Sequence, residues 1–125
     1  MEIKKIKIRV MSLEESSKEA IEVAREIDKG IFKKRTPAIS FENFEVYLRT
    51  FTQKRMNLLK IIGSKKPKTI SELTNITKRN FKNIHSDIKI LETYGLIKLE
   101  KSNLGLMPIA LYDEVDIDIK IPLTA

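Results

Sequence analysis

Apolar and charged residues alternate at both ends of the chain. Near the N-terminus, Ile6, Ile8 and Val10 are separated by basic residues, and Val115, Ile117, Ile119 and Ile121 repeat the alternation with Glu114, Asp116 and Asp118 as acidic members. A period of two is typical of a half-buried strand. We therefore expect a strand over residues 2–10 and another after residue 113. Antiparallel pairing would set Lys5, Lys7 and Arg9 across from Asp118, Asp116 and Glu114, within one chain or between two.

Apolar residues at helical spacing predict five helices between these strands. Each follows a residue that can cap a first turn, namely Ser12, Asn43 (with Ser40), Thr52, Thr69 and Asn80. The first helix carries an apolar stripe of Leu13, Ala20, Ala24 and Ile27 and ends at Gly30. The second contains Phe41, Phe44, Val46, Tyr47, Leu48 and Phe51, which we interpret as core or dimer packing. Residues 31–39, with Pro37, predict an irregular or edge-strand connector.

The last three predicted helices are followed by a predicted β-hairpin. The third helix should run to about Ile62, with Met56, Leu59 and Ile62 on one stripe, before Gly63 interrupts it. A helix of about two turns begins after Thr69, and a longer one carries Phe81, Ile84, Ile88 and Leu91 on a buried face, with Asp87 and Glu92 at its flanks. After Gly95, LIKLEK, SNLG and LMPIALY predict a β-hairpin.

A short helix, a tight turn and a longer helix form a helix-turn-helix, and the following hairpin is then its wing. The expected fold class is therefore α+β, a winged helix-turn-helix with a β-hairpin wing and additional N- and C-terminal strands. We divide the 125 residues into three segments. They are 1–40, a strand and amphipathic helix that extend the scaffold or dimer, 41–112, the DNA-binding core, and 113–125, the C-terminal strand.

The distribution of charge along the chain indicates a function for the helix-turn-helix and its wing. The chain has a net charge of +7, and twelve of its basic residues against four acidic ones lie between Thr52 and Asn103. An excess confined to one stretch is expected when a single face meets a polyanion, although a generally lysine-rich surface is an equal alternative. We expect double-stranded DNA as the partner.

Donor and acceptor chemistry assigns the contacts on that face. Lys82, Asn83 and Ser86, on the exposed side of the last helix, are the candidates for reading bases. The candidates for neutralising phosphates are Lys54, Lys68, Lys78, Arg79, Lys89, Lys98 and Lys101. Glu100 would repel phosphate if it pointed inward, and Asn80 is better explained as a cap than as a base contact.

Composition argues against several other classes. The chain has no cysteine and one histidine, His85, so thiolate or histidine metal sites and cysteine nucleophiles are not expected. The alternating N-terminus does not resemble a signal peptide, and no apolar run is long enough to span a membrane. We expect a cytoplasmic protein with no cofactor and no enzymatic activity. A metal site at Asp113, Glu114, Asp116 and Asp118 would lack an accompanying histidine or water-holding loop.

The segments TQKRMNLLKII, SELTNITKRNFKNIHSDIKILETYGLI and PIALYDEVDIDIKI together resemble small winged-helix transcriptional regulators of archaea and bacteria, of the MarR type. The resemblance covers Phe41 to Ile121 and implies a homodimeric DNA-binding regulator, in some settings the antitoxin partner of a toxin. Thr77 and Lys78 stand where such proteins usually have an apolar residue and a glycine, so we expect a looser or differently shaped turn. The alternative function is an antitoxin-like or scaffold module that binds a toxin or another protein.

Overall fold

The computed structural model describes residues 2–124. Over this range the chain forms five strands and five helices, which confirms the α+β class. In chain order the elements are β1 (Lys5–Val10), α1 (Leu13–Asp28), β2 (Ala38–Phe41), α2 (Phe44–Thr50), α3 (Gln53–Lys65), α4 (Ile70–Thr77), α5 (Phe81–Thr93), β3 (Ile97–Ser102), β4 (Gly105–Ala110) and β5 (Glu114–Ile119).

These elements belong to two compact units. Unit 1 takes the residues up to Lys4 together with Thr50–Asp113, and unit 2 takes Lys5–Arg49 together with the residues from Glu114 onward. The segment borders drawn from the sequence differ from these, because β2 and α2 as far as Arg49 lie in unit 2, and the central segment of unit 1 begins at Thr50.

Unit 2 is built on a three-stranded sheet of order β2-β1-β5 in which both pairings are parallel. The expected antiparallel pairing of the terminal strands is therefore wrong, and the pairing lies within one chain. Two hydrogen bonds between Lys4 and Asp113, the residues just before β1 and β5, explain the direction. The Asp113 backbone N–H donates to the Lys4 backbone oxygen at 2.7 Å, and the Lys4 backbone N–H donates to the Asp113 carboxylate at 2.8 Å. Two strands that start side by side run the same way.

Opposite charges still meet in this parallel register. The Cα partners are Lys5 with Glu114, Lys7 with Asp116 and Arg9 with Asp118. Parallel strands keep the period-two alternation as antiparallel ones do, so the basic and acidic residues share one face of the sheet. The expectation of facing charges is confirmed, with the order of the partners reversed.

Helix α1 begins as expected, and an ion pair joins it to the charged face of the sheet. The Ser12 hydroxyl accepts the Glu15 backbone N–H at 3.2 Å, and the Arg9 guanidinium donates two bonds to Glu19 at 2.6 and 2.7 Å. The helix nevertheless has no buried residue. Leu13, which is 63% exposed, belongs to an apolar stripe that this chain leaves uncovered.

The aromatic stretch of unit 2 is divided between two elements. Phe41 ends strand β2 instead of entering a helix, and Asn43 caps α2 by accepting the Glu45 backbone N–H at 2.7 Å. Phe41 and Tyr47 are buried and meet edge to face with ring centroids 6.0 Å apart. The packing interpretation is confirmed for these two rings, whereas Phe44 is 37% exposed.

In unit 1, α3 is capped by Thr52 as predicted but continues past Gly63 to Lys65. Gly63 fits inside the helix because it faces β4, where a Cβ atom would lie 3.8 Å from that of Ala110. The fully buried residues are Leu58 and Ile62. Ile62 is therefore buried as expected, whereas Met56 and Leu59 are half-buried and Leu58 takes the second buried position.

The predicted hairpin follows α5. Gly95 takes a φ of +75° and ends the helix, and β3 then pairs antiparallel with β4 from Ile97 opposite Ala110 to Ser102 opposite Gly105. The Ser102 hydroxyl closes the turn by donating to the Gly105 backbone oxygen at 2.9 Å.

Candidate nucleic-acid interface

Asn80 fixes the start of α5. Its side-chain oxygen accepts the backbone N–H groups of Lys82 at 2.7 Å and Asn83 at 3.3 Å. These bonds satisfy two of the donors that a helix N-terminus leaves unpaired. The cap confirms the sequence interpretation of Asn80 and places Lys82 and Asn83 in the first turn of α5.

The buried face of α5 differs from the predicted one at two positions. Ile84, Ile88 and Leu91 are buried as expected, and Asp87 joins them at 7% exposure. Phe81 was expected in this group and is 55% exposed. At about 100° per residue, the four buried positions centre on a line that Phe81 misses by roughly 70°, so its ring lies outside and stacks with His85 at 6.0 Å.

The opposite face of α5 carries the sequence-predicted side chains together. Lys82, Asn83, Ser86 and Lys89 are all exposed and lie on one side of the helix. They offer ammonium, amide and hydroxyl groups, which can donate to base acceptors or phosphate oxygens. No acidic residue interrupts this group between Phe81 and Ile90, since Asp87 points inward.

Asp87 is held by two arginines. One carboxylate oxygen accepts Nε of Arg55 at 3.0 Å, and the other accepts Nη2 of Arg79 at 2.7 Å. Arg55 also donates Nη1 to the backbone oxygen of Thr50 at 3.0 Å. The cluster of Asp87, Arg55 and Arg79 therefore ties the first turn of α3 and the turn before α5 to the inner side of α5.

Sequence reasoning missed Arg55 and assigned Arg79 to phosphate contact alone. The available signal was Asp87, which is one residue from Ile88 and three from Ile84 in a helix. An acid among core positions needs charged or hydrogen-bonding partners. The arginine that answers this need on α3 lies 32 residues away in sequence, and spacing alone does not identify it.

The turn between α4 and α5 is held by hydrogen bonds, although Thr77 and Lys78 replace the expected apolar residue and glycine. Lys78 adopts a left-handed φ of +55° and donates its N–H to the Thr74 backbone oxygen at 2.8 Å. The Thr77 hydroxyl bonds the Leu73 backbone oxygen at 2.9 Å. The expected loosening is therefore wrong, because Lys78 takes the conformation that glycine usually supplies at such a position.

Two further phosphate candidates lie beside helix starts, and both are exposed. Lys54 stands in the first turn of α3, next to Arg55. Lys68 precedes the cap of α4, where Thr69 accepts the Glu72 N–H and the Glu72 carboxylate accepts the Lys68 N–H at 3.2 Å. A basic residue beside a helix N-terminus adds to its positive potential.

The remaining pair, Lys98 and Lys101, lies on the hairpin. Both are exposed on β3, but their odd spacing puts them on opposite faces of the ribbon. Glu100 shares the face of Lys98. A flat partner surface laid on one face of the hairpin would therefore meet one of the two lysines.

Charge is divided unevenly between the two units. Unit 1 contains thirteen basic and six acidic residues, an excess of seven, and unit 2 contains eleven of each. Among residues 2–124 no group of three or more acidic or histidine side chains could hold a metal ion. In the same range, no helix combines the length and apolar character needed to cross a membrane.

A family model described as HVO_A0114 matches residues 50–117, more than half of the chain, and the chain belongs to that family. The match takes in Thr50–Asp113 and the first residues of β5. No curated protein and no solved structure matches the chain.

Proposed function

We propose that this member of the HVO_A0114 family is a winged helix-turn-helix regulator of transcription that binds double-stranded DNA. In this proposal α4 and α5 form the helix-turn-helix, α5 is the recognition helix and the β3–β4 hairpin is the wing. The observation that carries the proposal is the exposed face of α5, where Lys82, Asn83, Ser86 and Lys89 stand together without an acid. The excess of seven positive charges in the same unit supports it.

Each side chain on this face has a distinct task. Lys82 donates to guanine acceptors, Asn83 pairs with the N6 and N7 edge of adenine, and Ser86 bonds to either base type. Phosphates are contacted by Lys54, Lys68, Lys78, Arg79, Lys89 and either Lys98 or Lys101. Phosphate contacts supply affinity and register, while the first three residues discriminate between sequences.

A salt titration with duplex DNA tests this proposal. Affinity should fall with salt at a log-log slope of about −0.9 per phosphate contacted. Lys82→Ala and Asn83→Ala should each lower affinity for a selected site by about 1–3 kcal/mol and relax the sequence preference. Lys33→Ala makes the same charge change in unit 2 and serves as the control. Absent or salt-insensitive binding would contradict the proposal.

We also propose that the protein acts as a homodimer, as the MarR-type resemblance implies, and that α1 faces the second copy. Most of the stability of a helix in a protein comes from packing of its apolar side, yet Leu13, Ile21 and Ile27 of α1 are 63%, 53% and 48% exposed. Glu14 and Arg25 are about three turns apart and lie on one side of the helix. An antiparallel second copy would set each Glu14 beside the other Arg25, so the face is self-complementary.

The absence of cysteine in the sequence gives a direct test of this dimer. Light scattering should give twice the mass of one chain. Ile21→Cys should cross-link two copies through a short bifunctional maleimide, whereas Glu22→Cys, one residue further round the helix, should not. Equal cross-linking of both variants, or a monomeric mass at high concentration, would contradict the interface.

The alternative function is an antitoxin-like or scaffold module. The exposed apolar side of α1 favours it as well, since it suits a different protein as readily as a second copy. This alternative predicts a monomer that binds no DNA. The DNA titration and the mass measurement together therefore separate the two functions.

A further inference from the structure

We propose that Asp87 is a positioning residue for duplex binding, which orients the guanidinium of Arg79 so that it meets a phosphate beside the start of α5. The inference rests on the proposed function and adds a residue that makes no DNA contact itself. It gives a role to the buried Asp87 carboxylate, which the proposed base and phosphate contacts do not involve.

The geometry of the cluster supports an orienting role. Asp87 gives one oxygen to each arginine, at 3.0 Å from Nε of Arg55 and 2.7 Å from Nη2 of Arg79. Each guanidinium is held by one charge-assisted bond to the carboxylate, which limits how far it can turn away from Asp87. Arg55 is further restrained by its bond to Thr50, so the carboxylate cannot follow Arg79 if that side chain swings away.

The cluster of Asp87, Arg55 and Arg79 carries a positive charge that is partly exposed to solvent. Two guanidinium groups on one carboxylate leave a net charge of +1. The Asp87 side chain is 10% exposed, whereas those of Arg55 and Arg79 are 21% and 24% exposed, so the excess charge reaches the surface at the two arginines. Within residues 2–124 the Arg79 guanidinium makes no other protein bond than the one to Asp87, which leaves four of its five N–H groups for a ligand.

The position of Arg79 in the chain identifies that ligand as a phosphate. Arg79 directly precedes Asn80, the cap of α5, and Lys82 follows in the first turn. The positive end of the helix and the planar fork of the guanidinium both favour a phosphate oxygen there.

Positioning and simple charge predict opposite signs. Asp87 is an anion close to a surface that would meet a polyanion, so its neutralisation should strengthen DNA binding if only charge mattered. Release of Arg79 from its fixed orientation should instead weaken binding. Asp87→Asn keeps the size of the side chain and therefore separates the two effects.

The experiment measures duplex affinity against salt for the wild type, Asp87→Asn, Arg79→Gln and the double variant, each checked for folding by circular dichroism. Asp87→Asn and Arg79→Gln should each lower affinity by about tenfold and reduce the salt slope by about 1. The double variant should bind as weakly as Arg79→Gln alone, because both changes remove the same contact. Glu92→Gln makes the same charge change at an exposed position of α5 and should leave the slope unchanged, with equal or tighter binding.

A wild-type slope in Asp87→Asn, with affinity unchanged or raised as in Glu92→Gln, would overturn the inference while leaving the proposed function intact. If Asp87→Asn does not fold, Arg79→Lys decides. It keeps the charge but replaces the planar fork with a compact ammonium, so its affinity should fall towards that of Arg79→Gln, and a wild-type affinity would overturn the inference. A wild type that binds no duplex DNA would overturn the proposed function and the inference together.

Discussion

Helices α1 and α5 have similar amphipathic sequences and different surroundings. Four residues of α5 are buried, including Asp87, whereas α1 has none. The polar bonds differ in the same way, since Asp87 is bonded within a half-buried cluster and Glu19 of α1 meets Arg9 at the surface. A hydrophobic stripe therefore predicts a helix, but the rest of the chain decides whether that stripe is covered. The two helices should consequently differ in every measure of stability.

Truncation of an apolar side chain should give the largest difference. Ile84→Ala in α5 should reduce the free energy of unfolding by about 2–5 kcal/mol, because Ile84 is fully buried and the change leaves a cavity. Ile27→Ala in α1 should cost less than about 0.5 kcal/mol in dilute solution, where its side chain stays largely in water. Urea unfolding followed by circular dichroism measures both. Equal losses would show that α1 is packed as tightly as α5.

Removal of an acidic side chain should give the second largest difference in stability between the two helices. Asp87→Ala should destabilise the fold by about 1–3 kcal/mol, since it leaves two half-buried guanidinium groups without their shared acceptor. Glu19→Ala removes an exposed partner of Arg9 and should cost about 0.2–1 kcal/mol. The same urea titration compares them. A loss at Glu19 as large as that at Asp87 would contradict the contrast between the clusters.

Features that depend on neighbouring residues could be predicted from the sequence. Ser12, Thr52, Thr69 and Asn80 cap their helices as expected, and Gly95 ends α5. A cap or a glycine stop depends on groups within a few residues. The exposed position of Lys82, Asn83, Ser86 and Lys89 could also be predicted, because helical geometry alone fixes which residues share a face.

Features that depend on distant residues could not be predicted. The direction of β5 depends on bonds between Lys4 and Asp113, which are 109 residues apart, and alternation looks the same in either direction. Phe81 was misassigned because the burial of Asp87, which its distant partners make possible, shifts the buried face of α5 away from Phe81. The charged partners of Asp87 come from two other segments of the chain, so spacing within α5 indicates that partners are needed but does not identify them.

A backbone change before α5 should have a smaller, stabilising effect. Lys78 holds a left-handed φ of +55°, a conformation that costs a residue with a Cβ about 1 kcal/mol relative to glycine. Lys78→Gly should therefore raise the free energy of unfolding by up to about 1 kcal/mol. Lys68→Gly has no such strain to relieve and should be neutral or destabilising. Thermal unfolding of both variants is the measurement, and a loss of stability in Lys78→Gly would contradict the argument.

The smallest expected effect lies in the bond that ties α1 to β1 and depends on pH. The hydrogen bond from Arg9 holds the pKa of Glu19 below its ordinary value of 4.5. Because the folded pKa is lowered, the pair stabilises the fold above the unfolded pKa, and this contribution is lost as pH falls through the folded pKa. Glu19→Gln should therefore be less stable than the wild type at pH 7, by no more than about 1 kcal/mol. The two proteins should converge as pH falls through the lowered pKa of Glu19, whereas Glu22→Gln, an exposed neighbour on α1, should differ little from the wild type at pH 7. A difference between wild type and Glu19→Gln that persists unchanged into acid would mean that the carboxylate charge does not hold α1 on the sheet.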